Sequence, residues 1–70
     1  MDIEKIKPGQ TVYTVNAKTN MVDSWEYSGL LKTREGVLLF LTNGKKRTYL
    51  PARCVFETEL EAKFIAGSYQ

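Results

Sequence analysis

The chain of 70 residues contains no histidine and a single cysteine. The lack of histidine removes the commonest general base of enzymes and excludes the Ser/His and Cys/His pairs that activate a nucleophile. One cysteine excludes both an internal disulfide and a Cys/His metal site. Cys54 stands in an apolar segment and is predicted to be a small core residue, not a reactive thiol. We therefore predict that the protein is not an enzyme and uses no metal or cofactor.

Long apolar segments are also absent. The longest apolar run, residues 37–41, is far shorter than the about 20 residues that a membrane-spanning helix needs. The first residues are charged and lack the apolar centre of an export signal. A lone cysteine is typical of a reducing compartment. These features predict one small cytoplasmic domain, residues 1–70, that does not cross a membrane.

Short β-rich segments separated by turn residues make up most of the chain. The predicted strands are residues 11–15, 25–33, 37–42, 45–50 and 54–56. Gly29 in the second strand predicts a bulge, and Asn43-Gly44 predicts a type I′ turn between the third and fourth strands. Residues 16–24 are mostly polar and are predicted to form the longest loop, where binding residues are often found.

One short helix is predicted at the end of the chain, over residues 59–66. Thr58 followed by Glu61 is a capping box, in which each side chain accepts a hydrogen bond from a backbone N–H at the helix start. Leu60 and Phe64 are four residues apart and face the same side. A helix this short is not stable alone in water, so we expect these two side chains to dock it on the strands.

The order of these elements predicts a mainly β protein with one C-terminal helix, specifically a five-stranded SH3-like barrel. That fold has a long loop after its first strand, two tight hairpins and a short turn before its last strand. An OB-like barrel is the rival, but it would place a helix between the third and fourth strands, where the sequence has only Asn43-Gly44.

A partner-binding site is predicted around the 16–24 loop. Its candidate residues are Trp25, Tyr27, Met21 and Asp23. Aromatic side chains at a loop boundary are typical of interface hot spots. The competing interpretation, which we favour for Trp25 alone, is a tryptophan buried in the core.

A nucleic-acid-binding site is the alternative. Its candidate residues are the cations Lys45, Lys46, Arg47, Arg53, Lys32 and Arg34, which could bind phosphates, together with tyrosines and the tryptophan, which could stack on bases. The net charge is only +2, too small to identify a nucleic-acid-binding protein by itself. The simpler interpretation is that the charges keep a hairpin soluble and prevent edge pairing.

Both ends of the chain carry a family pattern. Residues 9–13 read Gly-Gln-Thr-Val-Tyr, residues 55–58 read Val-Phe-Glu-Thr, and Glu61-Ala62 follows in the helix. This combination resembles small SH3-like barrel proteins of bacteriophages and mobile elements. The resemblance implies a compact accessory protein that binds and modulates a host protein.

Three hypotheses about function therefore remain. The first is a non-enzymatic module that binds a host protein, as the resemblance implies. The second is a nucleic-acid-binding accessory protein that uses the basic hairpin. The third is an assembly protein that self-associates through an edge strand.

Overall fold

The computed structural model describes residues 4–68, except for the side chain of Ser68. Four antiparallel strands form one sheet in the order β1-β2-β3-β4, and one helix follows. The elements are β1 (Thr11–Asn16), β2 (Met21–Thr33), β3 (Gly36–Asn43), β4 (Lys46–Pro51), a 3-10 helix (Ala52–Cys54) and α1 (Glu59–Ser68). The prediction of a mainly β protein with one C-terminal helix is confirmed.

The long loop predicted at residues 16–24 is wrong. β2 begins at Met21, and Asn16 pairs directly with Met21 across a tight hairpin. Two asparagines close this turn. The Asn16 side chain accepts a hydrogen bond from the backbone N–H of Lys18 at 3.0 Å, and Asn20 adopts a left-handed φ of 56°. Asparagine is one of the few residues that tolerate this conformation, so a polar stretch became a short turn and not an open loop.

The predicted bulge in β2 is confirmed at Gly29. The register between β2 and β3 shifts between Tyr27 and Gly29, which leaves Ser28 as the extra residue. A bulge bends and twists its strand locally. It lets the 13 residues of β2 pair with β1 along the first half and with β3 along the second.

The hairpin between β3 and β4 is confirmed, but its turn differs from the prediction. Asn43 pairs with Lys46, so the two central residues are Gly44 and Lys45. Gly44 has a φ of 59°, whereas Lys45 is not among the residues with positive φ. Positive φ at the first central residue alone is the pattern of a type II′ turn and not of type I′. The turn leaves no room for the helix that an OB-fold places here.

Residues 54–56, predicted as a fifth strand, form a single bridge. The N–H and C=O groups of Phe56 each hydrogen-bond to Tyr13 of β1 at 2.8 Å. Cys54, predicted to lie in the core, is exposed because it ends the 3-10 helix and precedes that bridge. Its neighbour Val55 is fully buried in its place.

The core lies on one face of the sheet, which we call the inner face. Its buried members are Ile6, Val12, Tyr27, Leu39, Leu41 and Val55, with Trp25, Leu50 and Ala52 packed against them. Leu39 and Leu41 alternate along β3 with the partly exposed Leu38 and Phe40. Because successive side chains of a strand point to opposite faces, Leu38 and Phe40 lie on the outer face.

Helix α1 packs against β1 and β2. The N-terminal cap is confirmed, since the Thr58 hydroxyl accepts a hydrogen bond from the N–H of Glu61 at 3.2 Å. The docking prediction is wrong, because Leu60 and Phe64 are 79% and 76% exposed while Ala62 and Ala66 are buried. Alanines let a helix approach a sheet closely, and their burial turns the two larger side chains away from it.

Candidate functional site

The four residues of the predicted partner-binding site lie along one face of β2, not around a loop. Tyr27 belongs to the core and is only 4% exposed, so it contributes nothing to a surface. Trp25 is half-buried, and its indole N–H donates to the hydroxyl of Thr14 at 2.8 Å. Asp23 and Met21 are exposed further along the strand. From Tyr27 to Met21, these side chains extend from the core to the tip of the β1–β2 hairpin. The hydrogen bond to Thr14 fixes the position of the Trp25 indole.

The candidate cations are all exposed, but the sheet divides them into two groups. The first group is at the turn between β3 and β4 and contains Lys45, Lys46 and Arg47; the second is at the opposite end of β3 and contains Lys32, Arg34 and Arg53. Strand β3 has eight residues, which separates the two ends by about 25 Å. The cations therefore do not form one patch at a hairpin tip.

The outer face of β2, β3 and β4 connects these two groups. Its side chains form three rows across the strands: Leu31, Leu38 and Pro51 in the first row, Gly29, Phe40 and Tyr49 in the second, and Glu26, Thr42 and Arg47 in the third. The two rows nearest the second group of cations carry only apolar and aromatic side chains. We call the six residues of these two rows the apolar strip.

The aromatic row is the most distinctive part of the apolar strip. The rings of Phe40 and Tyr49 contact each other across the strands, with centroids 4.9 Å apart and planes inclined by 40°. Tyr49 is 51% exposed. A Cβ atom placed on Gly29 would meet no atom within 4 Å, so the space on the β2 side of Phe40 is open. The row is an aromatic surface that is accessible from above and from one side.

A groove lies at the end of the apolar strip. It has a volume of about 730 Å³, and Val37, Leu38 and Pro51 are among its apolar lining residues. Arg34 and Arg53 reach it from the β2–β3 turn and from the 3-10 helix, which are distant in sequence. At the other end of the strip Arg47 occupies the third row. Arginines therefore flank the apolar strip at both ends.

Charge is segregated along the chain far more than its total indicates. Residues 27–56 contain six lysines and arginines and one glutamate, a net charge of +5, whereas the other 40 residues contain four cations and seven carboxylates, a net charge of −3. No salt bridge involves any of the six cations within residues 4–68. Sequence reasoning underestimated this surface because it used the total charge of +2.

A second exposed surface is the solvent face of α1, the helix that packs against β1 and β2. Leu60 and Phe64 lie one turn apart on it, on the side away from the sheet. Exposed carboxylates surround them at the start of the helix, and among residues 4–68 the one salt bridge joins Glu59 to Lys63 at 2.9 Å. This face combines large apolar side chains with negative charge, which the prediction of a docked Leu60 and Phe64 missed.

Within residues 4–68, no helix has the length and apolar character needed to cross a membrane, and no three carboxylate or thiol side chains cluster as a metal site would require. Comparisons of the chain with protein-family models, with curated proteins and with solved structures found no match.

Proposed function

We propose that this protein is a non-enzymatic binding module that holds nucleic acid on the outer face of β3 and β4. The observation that carries the proposal is the apolar strip with arginines at both ends, none of which forms a salt bridge within residues 4–68, in a segment of net charge +5. Contacts from lysine and arginine to phosphates supply most of the affinity of sequence-independent nucleic-acid binding. Arginines that make no internal salt bridge are available for such contacts.

A phage or host protein is a less favoured ligand for this face. Protein interfaces also use aromatic and apolar side chains, but their centres are depleted of charge. Here six lysines and arginines lie at the two ends of β3, against two carboxylates, Glu35 at the groove and Glu26 at the β2 end of the third row. A polyanion matches that pattern better than a protein surface of mixed charge. The test is the salt dependence of oligonucleotide binding, because only phosphate contacts release counterions in proportion to their number.

We also propose that the sheet closes into an SH3-like barrel. Two observations support closure. The bridge between Phe56 and Tyr13 lies on the edge of β1 that is not paired with β2, and the 3-10 helix Ala52–Cys54 connects β4 to that bridge. The order of strands, 3-10 helix and final bridge agrees with the fold implied by the resemblance to small phage proteins. In this barrel the apolar strip is on the outside, where a long ligand can reach it.

Binding of a host protein is the second candidate function, and the solvent face of α1 favours it. Leu60 and Phe64 are 79% and 76% exposed side by side on this face, and exposed apolar side chains that lie together mark interaction sites. The carboxylates of Glu57, Glu59 and Glu61 beside them favour a partner segment that is basic and apolar. Such a partner would bind on α1 and not on the apolar strip.

This candidate predicts a loss of binding without a loss of folding. A synthetic amphipathic helix of lysine and leucine is the probe, and titration calorimetry measures its affinity. Leu60→Ser should weaken binding at least about 10-fold, as for an interface anchor, while the circular dichroism spectrum stays unchanged. Lys5→Ser, in an exposed segment, is the control. Equal affinities of both variants for the probe would show that this face of α1 is not the binding site.

Self-association through an edge strand stays a prediction. β4 is at the edge of the sheet, and it begins with Lys46 and Arg47. Charged side chains on an edge strand oppose pairing with another strand, so this hypothesis is the least favoured of the three.

A further inference from the structure

We infer that the nucleic acid bound by the outer face is single-stranded and that one of its bases stacks on Tyr49. This inference rests on the proposed function, because it specifies the ligand of the same surface. Phosphate contacts alone would not favour a single strand over a duplex. The choice between them depends on what the surface offers to the bases.

The aromatic row offers an accessible ring with a second ring beside it. Phe40 is half-buried and contacts the Tyr49 ring at a centroid distance of 4.9 Å, which restricts the tyrosine side chain. Tyr49 is the more exposed of the two, at 51%. Every base has a π face, so an exposed ring of this kind holds unpaired bases of any sequence. A base pair within a duplex is already stacked on both sides and cannot contact the ring.

Gly29 supplies space for a second base. It lies in the same row as Phe40, and a Cβ atom there would meet nothing within 4 Å. A larger residue at this position would cover the β2 side of the Phe40 ring. The open position lets a flat group approach Phe40 from the side that Tyr49 does not occupy.

The spacing of the cations fits a strand that runs along the apolar strip. Arg47 and Pro51 are four residues apart on β4, a distance of about 13 Å, and Arg53 follows in the groove beyond Pro51. Phosphates held at the two ends leave the nucleotides between them over the aromatic row. A cationic surface combined with exposed aromatic rings is what proteins that bind single strands without sequence preference use.

Four oligonucleotides of about 12 nucleotides would test this inference: single-stranded oligothymidylate, a DNA duplex, single-stranded RNA and an abasic strand with the same phosphates. Fluorescence anisotropy at low salt measures their dissociation constants. We expect oligothymidylate and RNA to bind more tightly than the duplex and the abasic strand. The difference should be at least about 5-fold, which corresponds to the about 1 kcal/mol or more that one stacked base contributes.

Substitutions at Tyr49 separate stacking from apolar contact. Tyr49→Leu keeps an apolar side chain but removes the ring, and should weaken oligothymidylate binding about 5-fold to 150-fold, the range of about 1–3 kcal/mol for one stacked base. Tyr49→Phe keeps the ring and should bind like the wild type. The affinity for the abasic strand should not change in either variant. Circular dichroism confirms that both variants are folded, as expected for a residue that is 51% exposed.

The failure of this inference can be distinguished from the failure of the proposed function. If all four ligands bind equally and Tyr49→Leu has no effect, the single-stranded specificity is wrong, whereas binding through phosphates stands. If the duplex binds more tightly than the single strands, the stacking on Tyr49 is also wrong. If no ligand binds at low salt, both the inference and the proposed function are overturned.

Discussion

Replacing Leu39 by alanine should lower the free energy of unfolding by about 2–5 kcal/mol. Leu39 is fully buried in the core and lies at the centre of the sheet, on β3. The loss combines the transfer free energy of the removed atoms with the cost of the cavity. A domain of this length has a total stability of only about 4–10 kcal/mol, so the substitution would remove a large part of it.

Leu60→Ala is the matched control for Leu39→Ala, because it makes the same chemical change on a residue that is 79% exposed. Its effect should stay within about 0.5 kcal/mol. Urea unfolding followed by circular dichroism measures both values. A loss at Leu60 as large as the loss at Leu39 would mean that α1 docks through Leu60, contrary to the burial of Ala62 and Ala66.

The second large expected effect is the loss of nucleic-acid affinity as the salt concentration rises. If Arg34, Lys45, Arg47 and Arg53 each contact one phosphate, the affinity for a single strand should fall about 50-fold between about 50 and about 200 mM salt. The reason is that each contact releases counterions, with a slope of about −0.7 in log affinity against log salt. In Arg47→Ala/Arg53→Ala two contacts remain, and the fall should shrink to about 7-fold. Fluorescence anisotropy at several salt concentrations measures the slope.

The control for this experiment removes two charges from elsewhere on the surface. Lys7→Ala/Lys18→Ala causes the same change in net charge, but both lysines lie outside residues 27–56. Its slope should equal that of the wild type. If the two double variants have the same slope, net charge and not the position of the arginines governs binding, and the outer face loses its role.

Local signals in the sequence predicted the parts of the fold that short-range geometry determines. The bulge at Gly29 and the cap at Thr58 depend on the backbone freedom of one residue and on the hydroxyl of another, and both are confirmed. The hairpin at Asn43-Gly44 was also predicted, although its central pair moved by one residue. These features need no information about distant parts of the chain.

Features that depend on tertiary packing were not predicted. Residues 21–24 look like a polar loop, but pairing with β1 extends them into strand β2. The spacing of Leu60 and Phe64 matches a docking face, but Ala62 and Ala66 are the helix residues buried against the sheet. Periodicity identifies faces of a helix, and it does not say which face the rest of the protein covers.

The candidate site was predicted only in part from the sequence. Exposure of the cations was predicted correctly, but their separation to opposite ends of β3 follows from the sheet. The pairing of Phe40 with Tyr49 follows from the register of the β3–β4 hairpin. The continuous apolar run of residues 37–41 hides the alternation between the buried Leu39 and the partly exposed Phe40.

The central claim is that the outer face of β3 and β4 binds nucleic acid. The most direct measurement is the change in backbone amide NMR signals of the labelled protein as oligothymidylate is added at low salt. We predict shifts concentrated at Leu38, Phe40, Arg47 and Tyr49, with none along α1. Shifts confined to α1, or no shifts at all, would contradict the claim.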